Sequence, residues 1–225
     1  MSKPPPSDTA KAYHHGNLRR AILDAAEELV KERGIDGLSL RECARRAGVS
    51  PAAPAHHFKD KRGLLNEFAN EGLETLIGLV GAELTDAGDD PVLRVRAVGR
   101  GYIRAALEHP PHFRVMTQCR VFSPTDEAEP GDSASSEGNP ENERLPVLEL
   151  LASLIAALDQ ADGREPDQLA ERAVFAWSAV HGFSLLLLDN AQHPSIDFSG
   201  ATEEGLKKAD DVLDRVLAGL RSSAS

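Results

Sequence analysis

The stretch Leu38-Ser39-Leu40-Arg41-Glu42-Cys43-Ala44-Arg45-Arg46-Ala47-Gly48-Val49-Ser50 decides the fold. Apolar residues at 40, 43, 44 and 47 recur at helical spacing, so they face inward on one short helix. Gly48 supplies a tight turn. Ser50 and Pro51 read as the cap and first residue of a second short helix, residues 51–58. Two short helices crossing around a glycine-containing turn make a helix-turn-helix, in which one helix braces the other. The braced helix can then lie in a major groove with its N-terminal turn against base edges, while the first helix crosses the phosphates.

Outward from this motif the periodicity is helical throughout, and no window alternates with the period of two that strands require. The expected class is all-α. A helix over residues 16–33 carries Ile22, Ala25, Ala26, Leu29 and Val30 on one side, and Gly34 ends it. Helices over 39–47 and 51–58 follow, then one from 61 past 79 that Asp60 caps. Further helices are expected over 91–107, where His109-Pro110-Pro111 stops the chain, and over 111–118, 146–161, 166–190 and 202–221. Between them, residues 123–144 hold seven acidic residues, three prolines, two glycines and four serines. Such a segment has almost nothing apolar to offset its ordering entropy, and a mobile loop is expected. The domains are then a disordered lead over 1–12, a three-helix DNA-binding domain over 13–62, and a larger helical body over 63–225 for effector binding and dimerisation.

The net charge of -11 is unexpected for a nucleic-acid binder. Its distribution resolves the difficulty. From Lys11 to Arg62 there are 11 Lys/Arg against 7 Asp/Glu, whereas Gly63 to Ser225 has 13 against 28, giving a basic head on an acidic body. Cys43 and Cys119 lie in no metal or disulfide pattern, and Cys43 sits at an apolar core position. The start, MSKPPPSDTAKA, has no apolar region of a secretory signal. The longest apolar stretch, 173–188, is interrupted by Ser178, His181, Gly182 and Ser184 and is too short to span a bilayer. A cytoplasmic protein without a membrane partner is expected.

The segment from Tyr13 to Leu79 resembles the TetR family of ligand-responsive repressors. The marks are residues 18–26 as a first helix, Leu38-Ser39-Leu40-Arg41 opening the second, residues 44–50 as its end and turn, and Pro54-Ala55-His56-His57-Phe58-Lys59-Asp60-Lys61 closing the third. The resemblance implies phosphate contacts by Ser39, Arg41 and Lys61. It lays Ser50, Pro51, Ala52, Ala53, Ala55, His56 and His57 along the recognition helix. Hydroxyls and cations at phosphates set register without reading sequence. Ala55 departs from the family, which usually has an aromatic residue two before the histidine of its His-Phe pair. Direct readout here would lean on methyl contacts with thymine and on the histidines, with help from DNA shape and from an N-terminal arm of Lys11, Tyr13, His14 and His15. Arg45 and Arg46 are either phosphate contacts or a solvated face, and His57 either touches DNA or orients the turn.

In the body, Leu206, Ala209, Leu213, Val216, Leu217 and Leu220 form a stripe on the last helix. Paired with the helix before it and with symmetry mates, it would give a four-helix bundle, the homodimer that the resemblance implies. Trp177, His181 and Gly182 resemble the Trp-His-Gly signature of one C-terminal group in the family. His181 is either a polar anchor in an effector pocket or a hydrogen-bonded core histidine. Tyr102, Phe113, Met116, Phe122, Trp177 and His181 are candidate lining residues for a small-molecule effector. Glu108, His109 and His112 suggest a metal, but the prolines break the helical geometry and no further ligand is visible, so no metal or cofactor is expected. An enzyme would need a Glu-x-x-His pair or a nucleophile beside a base, and neither can be placed. The expected function is repression by a homodimer on a palindromic operator, with an effector binding the two recognition-helix spacings unequally. Activation, and action through a protein partner without an effector, stay open.

Overall fold

The computed structural model describes residues 8–118, 146–189 and 202–222, with side chains from residue 18, 147 and 204 onward in the three segments. Its elements are α1 (Asp8–Arg33), α2 (Leu40–Arg46), α3 (Ala53–Phe58), α4 (Lys61–Ala87), α5 (Pro91–Glu108), α6 (Pro110–Gln118), α7 (Pro146–Ala161), α8 (Leu169–Leu188) and α9 (Thr202–Ser222). There is no strand among the described residues, and the class is all-α. None of these helices is long and apolar enough to cross a membrane. Phe122, Cys119 and the acidic segment 123–144 lie outside the described residues, as do residues 1–7 and the side chains of Lys11, Tyr13, His14 and His15.

The chain divides into two compact units, with the boundary after Glu71. In the first, α1, α2 and α3 enclose Ile22, Leu23, Ala26, Leu29, Leu38, Cys43, Ala44, Phe58, Leu64 and Phe68. Each helix is amphipathic and cannot bury its apolar side alone. Ser39 caps α2 by accepting the Glu42 N–H at 3.2 Å. Gly48 then takes φ +69°, the left-handed turn that any side chain would strain. Cys43 is fully buried, and burial pushes its thiol up to about 11, so it packs as a small apolar group.

Three boundaries differ from the periodic reading. α1 begins at Asp8, so residues 8–12 are helical where a disordered lead was expected. The stretch Asp8-Thr9-Ala10-Lys11-Ala12 contains good helix formers and starts with an acidic residue, which suits a helix N-terminus. α3 begins at Ala53 and not at Pro51. Pro54 has no N–H to donate to the Ser50 carbonyl four residues back, so that carbonyl accepts from Ala53 at 3.0 Å and residues 50–53 close as a turn. α8 begins at Leu169 and not at Pro166, after Gln168 takes φ 47° and donates its N–H to the Asp167 carboxylate at 2.8 Å.

In the second unit α5 is the central helix, packing against α6, α7, α8 and α9. Gly101 lets α4 approach, since a Cβ there would lie 2.7 Å from the Val80 Cα. The stripe of α5 that escapes burial carries Arg96, Arg100 and Arg104 at successive helical turns. Arg96 pairs with Asp210 and Asp214, Arg100 with Asp210 and Glu83, and Arg104 with Glu83 and Glu108. This ladder ties α4, α5 and α9 together. The α9 stripe faces inward: Ala209, Leu213, Val216, Leu217 and Leu220 are buried in the protomer's own core, with Leu206 packed against it. A stripe of that width is consumed by α5 and α8.

Candidate nucleic-acid interface and cavity

The helix-turn-helix presents a continuous outer face. Ser39, Arg41, Ser50, Pro51, Ala52, Ala55 and His56 are exposed, Ala53, His57 and Lys61 are half-buried, and Pro54 and Phe58 point into the core. Phe58 therefore anchors α3 while its opposite side stays free. A groove of about 330 Å³ lies between Ser39, Arg41, Glu42, Arg45, Val49 and Pro51. Ser39 uses a lone pair for the helix cap and keeps its O–H to donate, which suits a phosphate oxygen at the groove edge. Lys61 donates to the Asp36 carbonyl at 3.4 Å, which holds its ammonium near the first turn of α4.

The arginines sort into two kinds that spacing alone leaves undivided. Arg45 forks onto Glu42 at 2.8 and 2.7 Å, which holds the Glu42 carboxyl down at about 2. Arg46 forks onto Glu32 at 2.9 and 2.5 Å and reaches Glu42 at 3.4 Å. Arg41 is exposed and carries no ion pair among the described residues. The Glu42–Arg45 pair is legible as an i,i+3 spacing, whereas Glu32 is 14 residues from Arg46 and only the fold joins them.

Sequence reasoning also passes over Lys59. It takes φ 61° and ψ -68°, and the Asp60 N–H reaches the Phe58 carbonyl at 2.6 Å across it. This is a γ-turn of the strained hand, on an exposed lysine directly after α3. Asp60 then caps α4 by accepting the Gly63 N–H at 2.8 Å.

In the second unit, a cleft of about 20 Å³ opens between α5, α7, α8 and α9. Tyr102 and Trp177 line it, together with aliphatic residues such as Val98, Leu151, Val180 and Leu217. Phe113 and Met116 are fully buried behind it in the core and are not part of its wall. His181 lies beneath the wall, stacked on Trp177 with centroids 4.8 Å apart, and its Nδ1 is 2.8 Å from the Tyr102 hydroxyl. Burial lowers the His181 pKa, so the ring is neutral near pH 7. Burial pushes the Tyr102 phenol up. The indole Nε1 of Trp177 is buried, and its N–H works against that rise at the Tyr102 hydroxyl. His109 and His112 meet edge to face, 6.4 Å between centroids.

A family model described as bacterial regulatory proteins, tetR family, matches residues 22–68. A second, described as tetracyclin repressor-like, C-terminal domain, matches residues 95–219. The HTH-type transcriptional regulator BetI of Stenotrophomonas maltophilia (strain R551-3) is 35% identical over 83 residues. That match covers 37% of this chain and 42% of BetI, so the likeness spans about two fifths of the relative's length. A solved protein of unknown function from Rhodococcus sp. RHA1 superposes with a TM-score of 0.65 and 26% identity over 92% of this chain and 97% of that one. AibR, solved in complex with isovaleryl coenzyme A and operator DNA, superposes with a TM-score of 0.59 and 20% identity over 88% and 97% of the two chains. Matches to both halves in chain order, the second alone spanning residues 95–219, complete the argument from the glycine corner outward: the chain belongs to the tetR family of bacterial regulatory proteins.

Proposed function

We propose that this protein is a DNA-binding transcriptional regulator that occupies a palindromic operator as a homodimer and is released by a small-molecule effector. The observation that carries the first half is the outward face of α3 and the turn before it. Ser50, Pro51, Ala52, Ala55 and His56 are exposed, while Pro54 and Phe58 lock the helix to its brace. Ser39, Arg41 and Lys61 flank that face and take the phosphates, and Ala53 and His57 complete the recognition helix. Two copies place recognition helices in successive major grooves, about 34 Å apart.

The homodimer forms through the outer face of α8, with α9 contributing its exposed edge. Val174, Phe175 and Leu186 are 49%, 50% and 47% exposed. Phe175, Ser178, Gly182 and Leu186 follow one another at spacings of three and four. Gly182 has open space where a Cβ would project, so two such helices can approach closely. An apolar face of this extent on a protomer marks an interaction surface. The resemblance of Trp177, His181 and Gly182 to the Trp-His-Gly signature supports placing the body in that group. The cleft at Tyr102 and Trp177 is the effector site, and AibR, similar in fold, is solved with isovaleryl coenzyme A and operator DNA. Repression by occupancy in the cytoplasm follows, with no catalytic step.

Selection of duplexes from a random pool by the purified protein, followed by mobility shift at two salt concentrations, tests this reading. A recovered palindrome and a steep salt dependence are expected. Arg41→Ala and Lys61→Ala should weaken all sequences alike and each flatten the logarithmic salt slope by about 1. Failure to bind any duplex at low salt would sink the proposal.

A further inference from the structure

We infer that Glu42 withholds Arg45 from DNA in the free protein, and that Arg45 passes from the Glu42 carboxylate to a backbone phosphate when a duplex docks. The inference deepens the DNA-binding reading above and rests on it.

Spacing leaves Arg45 and Arg46 alike, and the fold separates them. Arg45 lines the groove of about 330 Å³ together with Ser39 and Arg41, where Pro51 leads into α3. Arg46 is not in that wall and is drawn back onto Glu32 of α1 at 2.9 and 2.5 Å. The Arg45 side chain is 70% exposed, and Glu42, its ion partner among the described residues, is 21% exposed. Arg41 and Arg45 are four apart and neighbour each other on α2. A phosphate that Arg41 meets therefore lies beside Arg45 as well.

Glu42 stands where helix chemistry offers it another task. Ser39-Leu40-Arg41-Glu42 has the spacing of a capping box, in which the glutamate turns back to the N–H of the capping serine. Ser39 does its half, accepting the Glu42 N–H at 3.2 Å. The Glu42 carboxylate instead takes the Arg45 fork, Nε at 2.8 Å on one oxygen and Nη2 at 2.7 Å on the other, with Arg46 Nε at 3.4 Å. A negative charge thus sits in the wall of the groove whose other polar residues suit a phosphate.

An exposed ion pair contributes little in water. A duplex offers the same guanidinium fork a pair of phosphate oxygens and releases a condensed counterion. The exchange runs toward the phosphate, at the cost of the Arg45–Glu42 fork. The freed carboxylate keeps Arg46 and the N-terminal end of α2, both favourable to negative charge. Glu42 is a positioning residue that lowers duplex affinity through Arg45.

The full chain is tested on a random-sequence duplex pool, which reports phosphate contacts whatever the operator. Glu42→Gln should bind about fivefold more tightly than the wild type, with a steeper salt dependence. In an Arg45→Ala background the same change should gain about twofold or less, because the cation it frees is gone. Simple repulsion between Glu42 and the phosphates requires the opposite, a gain as large or larger without Arg45, and that result overturns the inference. Glu32→Gln removes the same charge outside the groove and should leave affinity within about twofold. A gain there equal to that of Glu42→Gln, or no gain from Glu42→Gln, also overturns it. A crystal structure of the wild type on a duplex needs no variant: Arg45 on a phosphate oxygen is expected, and Arg45 still forked on Glu42 defeats the inference. A wild type that binds duplex with no gain from Glu42→Gln defeats this inference alone, whereas a wild type that ignores duplex at low salt defeats the regulator reading.

Discussion

Asp159 is 1% exposed and charged, a combination that survives only with partners. Arg172, also buried, forks onto it at 2.5 and 2.9 Å and donates on to the Leu220 carbonyl at 2.6 Å, while Arg164 adds a contact at 2.8 Å. The cluster pins the end of α7, the start of α8 and the last turn of α9 to one another. Arg172 holds the Asp159 carboxyl below its ordinary 3.8, so this stabilisation is complete above that value and is lost as pH falls through the lowered one. Asp159→Asn leaves Arg172 buried and unmatched, and urea unfolding at pH 7 should show a loss of about 3 kcal/mol. Asp162→Asn, on the exposed rim with Arg221, should cost less than about 1 kcal/mol. His181 titrates the other way in chemical sense but with the same sign. Its folded pKa lies below 6.5, so the unfolded chain binds the extra proton and stability declines as pH drops under about 6.5. His181→Asn should flatten that part of the stability profile relative to the wild type, with unfolding midpoints read from pH 8 downward as the measurement.

Apolar spacing reports that a side of a helix is buried but not what buries it, and the elements divide along that line. α2, α5, α6 and α7 are legible to within a residue or two because each carries both a stripe and an end signal: Ser39 and Gly48, Asp90 and Pro91, Pro110 and Pro111, Pro146. The starts of α3 and α8 are not, because a missing N–H at Pro54 and a left-handed Gln168 act through backbone bonds that side-chain patterns do not record. The stripe of α9 is legible as a stripe, yet its burial by α5 and α8 depends on which helices the topology brings near. The same limit governs the candidate sites. The outer face of α3 is readable from Pro54 and Phe58, whereas the pairing of Arg46 with Glu32 and the four-helix wall of the cleft have no spacing in the sequence. One expectation tests where α9 is spent. Leu213→Ala removes a core side chain that is 3% exposed and should lower stability by about 3 kcal/mol. Denaturation across a wide range of protein concentration checks it: an equal loss at every concentration places the stripe inside the protomer, and a loss that shrinks as dimer is favoured would place it at a subunit interface.

Taken as one molecule, the chain sets a basic first third against an acidic remainder, so the field that attracts a polyanion is local to the helix-turn-helix. Much of that positive charge is already engaged. Arg19 pairs with Glu67, Arg20 with Asp24 and Glu71, Lys31 with Glu27 and Glu28, Arg45 with Glu42 and Arg46 with Glu32. Among the described residues Arg41 and Lys59 carry no ion pair, and the recognition helix adds only methyl groups and two histidines. On the proposed reading a single copy would offer few free cations to phosphates and a weak direct readout, and useful affinity would come from joining two copies on one duplex. If the proposed homodimer forms through the outer face of α8, that face is decisive for duplex binding although it lies in the other unit. Phe175→Glu places a charge in the middle of that face, where the side chain is 50% exposed in the protomer and so tolerates the change without disturbing the core. Sedimentation equilibrium should find the wild type dimeric and the variant monomeric, with circular dichroism unchanged. Affinity for a two-half-site duplex should fall by about 10²-fold or more, while affinity for a single half-site stays the same. A variant that remains dimeric, or a monomeric wild type that binds the full operator as tightly as expected of a pair, would remove the α8 face from the account.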